Sequence, residues 1–109
     1  MVMSTRASTV LAIGLLIAST AQQNANADRL RGKALAEQQC SHCHGVKRGE
    51  KSPYVAVPSF TEVAAEPSMT EYALRSFLRT PHPTMPNLII APVDIDDIVG
   101  YIVSLKQNH

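Results

Sequence analysis

The chain has 109 residues, two cysteines and no tryptophan, and 45% of it is hydrophobic. A length of this order holds at most one small domain. The formal net charge is +1, and without Arg6 nine basic side chains face nine acidic ones, so nothing favours nucleic-acid binding.

The N-terminus carries a positive charge at Arg6, an apolar run from Val10 to Ala18, then small and polar residues ending in Ala25-Asn26-Ala27. The run is too short to span a bilayer, and no stop-transfer charges follow it. The pattern predicts a secretory signal peptide over 1–27, cut before Asp28; the competing reading is an uncleaved membrane anchor. Residues 28–109 then form the working domain, about 80 residues, a size that buries little surface and usually needs a staple or a prosthetic group.

Residues 28–39 are mostly good helix formers, and Asp28 suits an N-cap or first turn. From Gly45 to Pro67 periodicity is lost and five glycines and prolines interrupt the chain, leaving room only for a short helical turn around Phe60 to Ala65. So long an irregular loop in a small domain calls for a bulky ligand to wrap around. Ser68-Met69-Thr70-Glu71 has capping-box spacing and predicts a helix to about Arg79, with Tyr72, Leu74, Phe77 and Leu78 inward. Thr80-Pro81-His82-Pro83 ends it. Pro92 suits the first position of a last helix, with Asp94 in its first turn and Lys106 at its end. Ile95, Ile98, Val99, Ile102 and Leu105 form its apolar stripe. No stretch alternates as a strand does, so the expected class is all-α.

Residues 40–44 read Cys-Ser-His-Cys-His. Two thiols three apart on a helical turn reach the two vinyl groups of a haem, and the histidine after the second is then held beneath the iron as an axial ligand. The competing readings each lack a part. A thioredoxin-like pair needs βαβ patterning. A zinc site from Cys40, Cys43, His44 and His82 lacks a second ligand pair at finger spacing. A disulfide would close only a tiny loop. The candidates for the sixth ligand are Met69, His82 and Met85. Met69 lies at the start of a predicted helix, where packing explains it. Met85, in Pro83-Thr84-Met85-Pro86, lies in a stretch that cannot be helical, and its soft thioether suits iron in an electron-transfer site. His82 is its main rival. His42 and His109 are expected to face solvent.

These residues resemble the class I cytochrome c family, in particular its small bacterial periplasmic members, over essentially all of 28–109. The resemblance rests on Gly32 and Ala36 before the Cys40–His44 motif, on Pro58-Ser59-Phe60, on Met85-Pro86-Asn87 and on the segment from Asp97 to Leu105. It implies a cytochrome c fold, with N- and C-terminal helices crossing and three to four helices and long loops wrapped around one haem. It implies thioether attachment at Cys40 and Cys43, His44 as proximal ligand and Met85 as distal ligand. Pro58 would offer the carbonyl that accepts a hydrogen bond from the proximal histidine, making it a stronger donor to iron. Gly32 and Ala36 would let the last helix approach, and Tyr101 would pack into that crossing. Ala36 replaces an aromatic found in many members, which implies looser packing there.

The function so implied is a periplasmic carrier of single electrons through one covalent haem c. It is expected to be a monomer, not an enzyme, that serves redox partner proteins (a dehydrogenase, reductase or oxidase) and takes no small-molecule substrate. The alternative is a haem enzyme or gas-binding protein with an open or bis-His iron. Lys47, Arg48 and Lys51 are candidates for a positive rim that steers an acidic partner.

Overall fold

The structure, a computed structural model, describes residues 5–81 and 83–106. Four helices follow in chain order among these residues: α1 (Thr5–Gln39), α2 (Phe60–Ala65), α3 (Glu71–Arg79) and α4 (Pro92–Ser104). None of these residues forms a strand, and no helix among them is long and apolar enough to cross a membrane. The all-α expectation and the crossing of the first and last helices both hold.

The apolar stripe of α4 organises the core. Ile95, Ile98, Val99, Ile102 and Leu105 are all buried, in one cluster with Ala36 and Cys40 from the α1 side, Val46, Phe60, Ala64, Leu74 and Tyr101. Pro92 occupies the first turn of α4, where its missing N–H costs nothing, and Asp94 complements the dipole there. The crossing with α1 is close because Gly32 has no side chain. A Cβ at that position would stand 2.0 Å from the Asp97 carbonyl oxygen and 3.0 Å from the Tyr101 Cβ. Ala36, four residues on and on the same helix face, is fully buried. Arg31 on α1 reaches across the junction to pair with Asp94 and Asp97 on α4. Arg75 similarly ties α3 to α4 through Asp96 at 2.8 Å.

Several local expectations are corrected. In the uncut chain the first helix begins at Thr5, so Asp28 lies inside a continuous helix. The helical run is uninterrupted there because no proline or glycine lies between Ala18 and Gly32. The cap of α3 is Thr70, whose hydroxyl accepts from the Ala73 N–H at 3.1 Å. Ser68 instead bonds the Glu66 carboxylate at 3.1 Å, in a turn closed by Met69 N–H on the Glu66 carbonyl. The capping box sits one helix earlier, between Ser59 and Glu62.

On α3 only Leu74 is buried, and Leu78, on the same face four residues later, packs partly against the core. At 100° per residue Tyr72 falls about 160° from Leu74 and Phe77 about 60° from it. Tyr72 is accordingly 81% exposed, whereas Phe77 sits at the edge of the buried face and is 40% exposed. At the far end of α4, Lys106 lies past the Leu105 cap and no basic residue occupies the last turn. The positive charge at that end comes from Arg48, whose guanidinium donates to the Ser104 and Leu105 carbonyls at 2.9 and 3.0 Å.

Candidate functional site

The Cys40–His44 motif occupies the turn in which α1 runs out. Cys40 N–H donates to the Ala36 carbonyl at 2.8 Å, continuing the helical ladder, and His44 N–H donates to the Cys40 carbonyl at 2.9 Å. The backbone therefore coils through one further turn past the end of α1 where the two thiols emerge, and residues three apart on such a turn are neighbours on one face. Cys40 is buried, Cys43 half-buried, and neither is in a disulfide. Burial pushes the Cys40 thiol up to about 11. Among the described residues no group of three or more His, Cys, Asp or Glu side chains could hold a metal ion. His82, the proposed fourth zinc ligand and the rival sixth ligand to iron, lies outside the described residues, as does His109. His42 is exposed, as expected.

The His44 ring is fixed from two sides. Its Nδ1 lies 2.7 Å from the Pro58 carbonyl oxygen. A carbonyl only accepts, so Nδ1 carries the proton and Nε2 keeps its lone pair. The buried Phe60 ring packs at a tilt of 50° with its centroid 5.5 Å from that of His44. The loop is also tied to the motif by its backbone, since Phe60 N–H donates to the Gly45 carbonyl at 2.8 Å. Pro58, Phe60 and His44 thus form one unit, linked through Gly45.

The first part of the loop doubles back tightly after His44. A Cβ on Gly45 would stand 2.3 Å from the Glu50 carbonyl oxygen, so only glycine permits this fold. The Glu50 carboxylate accepts from the Val46 and Lys47 N–H groups at 2.9 and 3.0 Å. These bonds, that from Lys47 foremost, hold the carboxyl below its ordinary range against the opposing effect of desolvation. The Tyr101 hydroxyl, buried under the crossing, donates to the Val46 carbonyl at 2.7 Å. Burial pushes the Tyr101 phenol up, so it remains a donor at neutral pH. Arg48 is engaged on the α4 terminus as described above, so of the three proposed rim charges it is anchored to the fold.

Met85 stands on a separate arm, the non-helical segment between α3 and α4, just past a turn at Pro83-Thr84, where it is half-buried and outside the core cluster. Met69, by contrast, packs against that cluster, as the sequence led us to expect. Three parts of the site were not read from the sequence: Glu50, Glu62 and the turn at Gly45. The signal for Glu62 was present, since Ser59-Phe60-Thr61-Glu62 has the same capping spacing as Ser68–Glu71.

These residues suit a covalently tethered haem: two thiols on one helical turn, outside any disulfide, beside an imidazole that is oriented through Nδ1 and has a basic Nε2. A protein-family model described as Cytochrome c matches residues 30–106. No curated protein and no solved structure matches the chain. The matched stretch begins just before Gly32 and ends just past α4, taking in the helix crossing, the motif and both connecting arms. The chain belongs to the cytochrome c family and is a haem-based electron carrier whose haem c is bound covalently.

Proposed function

We propose that this chain is a bacterial periplasmic carrier of single electrons, exported by residues 1–27, cut before Asp28, and holding one haem through Cys40 and Cys43. His44 and Met85 are its axial ligands, and the protein works as a monomer. The observation that carries this reading is the His44–Pro58 hydrogen bond at 2.7 Å, which orients the imidazole and leaves Nε2 for the iron. When bound, the haem supplies an iron that cycles between ferrous and ferric states.

The residues of the chain have separate tasks in this scheme. Cys40 and Cys43 fix the ring beneath which His44 is held. Phe60 limits rotation of the imidazole. Pro83 and Pro86 keep the segment around Met85 out of a helix, so that a soft thioether is offered and the potential is raised relative to a second imidazole. His44 and Met85 would together hold the iron and leave no coordination site for a small-molecule substrate, which is the role of a carrier and not of an enzyme. Its partners are redox proteins: a dehydrogenase, reductase or oxidase. Lys47 and Lys51, both exposed, supply the positive charge that steers an acidic partner. Electron-transfer rates with such a partner then fall as salt is added.

The test is a pair of oxidised and reduced spectra, from visible to near-infrared, of the protein and of Met85→Ala. Sharp reduced α and β bands, together with a weak long-wavelength methionine-to-ferric-iron band that is lost in Met85→Ala, are expected. A low-spin spectrum lacking that band in the parent protein would assign the sixth position to His82. A high-spin spectrum would favour the haem-enzyme or gas-binding alternative.

A further inference from the structure

Pro58 offers His44 only one end of a peptide group. The other end, the Ser59 N–H, donates to the Glu62 Oε2 at 2.7 Å. The Glu62 N–H in turn donates to the Ser59 Oγ at 3.2 Å, which closes the capping box that starts α2. Every described peptide bond is trans, so the Pro58 carbonyl and the Ser59 N–H point in opposite directions from one rigid plane. Orienting the N–H toward Glu62 therefore orients the carbonyl toward His44. The Phe60 N–H on the Gly45 carbonyl prevents the segment from swinging away.

We propose that Glu62 is a positioning residue for the iron ligand, acting through the Pro58–Ser59 peptide: carboxylate to N–H, carbonyl to imidazole Nδ1–H, imidazole to iron. Peptide resonance couples the two ends. An anion on the N–H shifts electron density toward the carbonyl oxygen and strengthens it as an acceptor, because hydrogen bonds in a chain polarise one another. The stronger acceptor draws the Nδ1 proton and makes Nε2 the better donor, which stabilises ferric iron over ferrous. Glu62 thereby lowers the reduction potential without touching the haem or its ligands. The carboxyl is held below its ordinary range, first of all by the bond from the Ser59 N–H. This inference rests on His44 as the proximal ligand.

The test compares the haem-loaded protein with Glu62→Gln and Ser59→Ala. Glutamine also serves at this position of a capping box, so α2 keeps its start while the charge is lost. Ser59→Ala removes the hydroxyl cap but keeps both the N–H and the carboxylate. Two readouts are taken: the reduction potential, and the His44 Nδ1–H resonance in the reduced, diamagnetic protein. Glu62→Gln is expected to raise the reduced-to-oxidised ratio at fixed applied potential roughly threefold, about 28 mV at 59 mV per tenfold, and to move the Nδ1–H resonance upfield. Ser59→Ala is expected to melt earlier with both readouts close to the parent values. The proposal is overturned if the proton does not move in Glu62→Gln, since a through-space charge effect alone would shift the potential, fade with salt and leave that proton in place. It is also overturned if Ser59→Ala produces an equal shift, which would mark general loosening of the loop. His44 ring resonances in the parent protein without a haem ring-current shift would reject the ligand assignment itself, and the relay with it.

Discussion

At the α1–α4 crossing, Gly32, Ala36, Ile98 and Tyr101 meet with almost no exposed surface, whereas between Gly45 and Ser59 the chain is tied mainly by polar bonds and leaves Tyr54 and Val55 in solvent. The first region is complete in itself: its apolar side chains cover one another, and its stability comes from burial. The second is positioned by donors and acceptors: Glu50 on two backbone N–H groups, Ser52 on Gly45, Thr61 on Gly49 and Pro58 on His44. Burial makes a rigid frame, and directional bonds place one peptide and one imidazole on it. Such a division suits a protein whose working group is a bound ring, because a loop held by polar ties can follow the shape of a ligand that a packed core could not admit.

The largest effects are expected at the crossing. Ile98→Ala removes a side chain that is 1% exposed and is expected to cost about 3 kcal/mol of unfolding free energy in chemical denaturation. Gly32→Ala places a Cβ against the Asp97 backbone, which has to shift. The change costs about 2 kcal/mol of overpacking even though alanine is favoured over glycine in a helix by about 1 kcal/mol. A neutral or stabilising Gly32→Ala would mean that the helices do not approach this closely.

Between the two regions lie the contacts that fasten loop to frame. Tyr101→Phe keeps the ring in the crossing but leaves the Val46 carbonyl without its buried partner, a loss of about 1.5 kcal/mol. Arg48→Gln withdraws the guanidinium from the Ser104 and Leu105 carbonyls and should cost about 0.5 kcal/mol, less at high salt. An effect of Arg48→Gln confined to partner docking, with no change in melting, would return Arg48 to the positive rim.

The smallest effect is one of pH. The folded Glu50 carboxyl titrates below its ordinary value of 4.5, so its bond contributes fully above that value and is lost as pH falls through the lower folded value. Melting temperatures of the protein and Glu50→Gln should therefore converge as the solution is acidified below 4.5 and differ most near neutrality. A constant difference at every pH would show that the clasp does not depend on the charge.

The parts of this molecule that were legible in the sequence are those whose spacing carries the physics. The α4 stripe repeats at three and four, and every residue named in it is buried. The Cys-x-x-Cys-His string needs a helical turn, and α1 delivers one. The short helix at Phe60–Ala65 was placed correctly because prolines bound it on both sides. Capping was less legible: Ser68 and Thr70 both offer a hydroxyl ahead of α3, and Ser68 is engaged by the Glu66 carboxylate two residues back, which leaves the cap to Thr70. The role of Arg48 depends on where the loop returns to α4, which no local pattern encodes; Glu50 clasps N–H groups only three and four residues back, in a turn that has no apolar period to mark it. Tyr72 has the apolar ring of a core residue, but its angle around the helix axis turns it to solvent.

The central claim is that Cys40 and Cys43 hold one haem covalently, and the most direct test is an intact mass of the purified protein under denaturing conditions, after expression in cells able to attach haem. The account predicts the mass of residues 28–109 plus one haem, with the haem mass absent when both cysteines are replaced by alanine. A polypeptide mass without haem, or a haem that separates from the chain on denaturation, would contradict it.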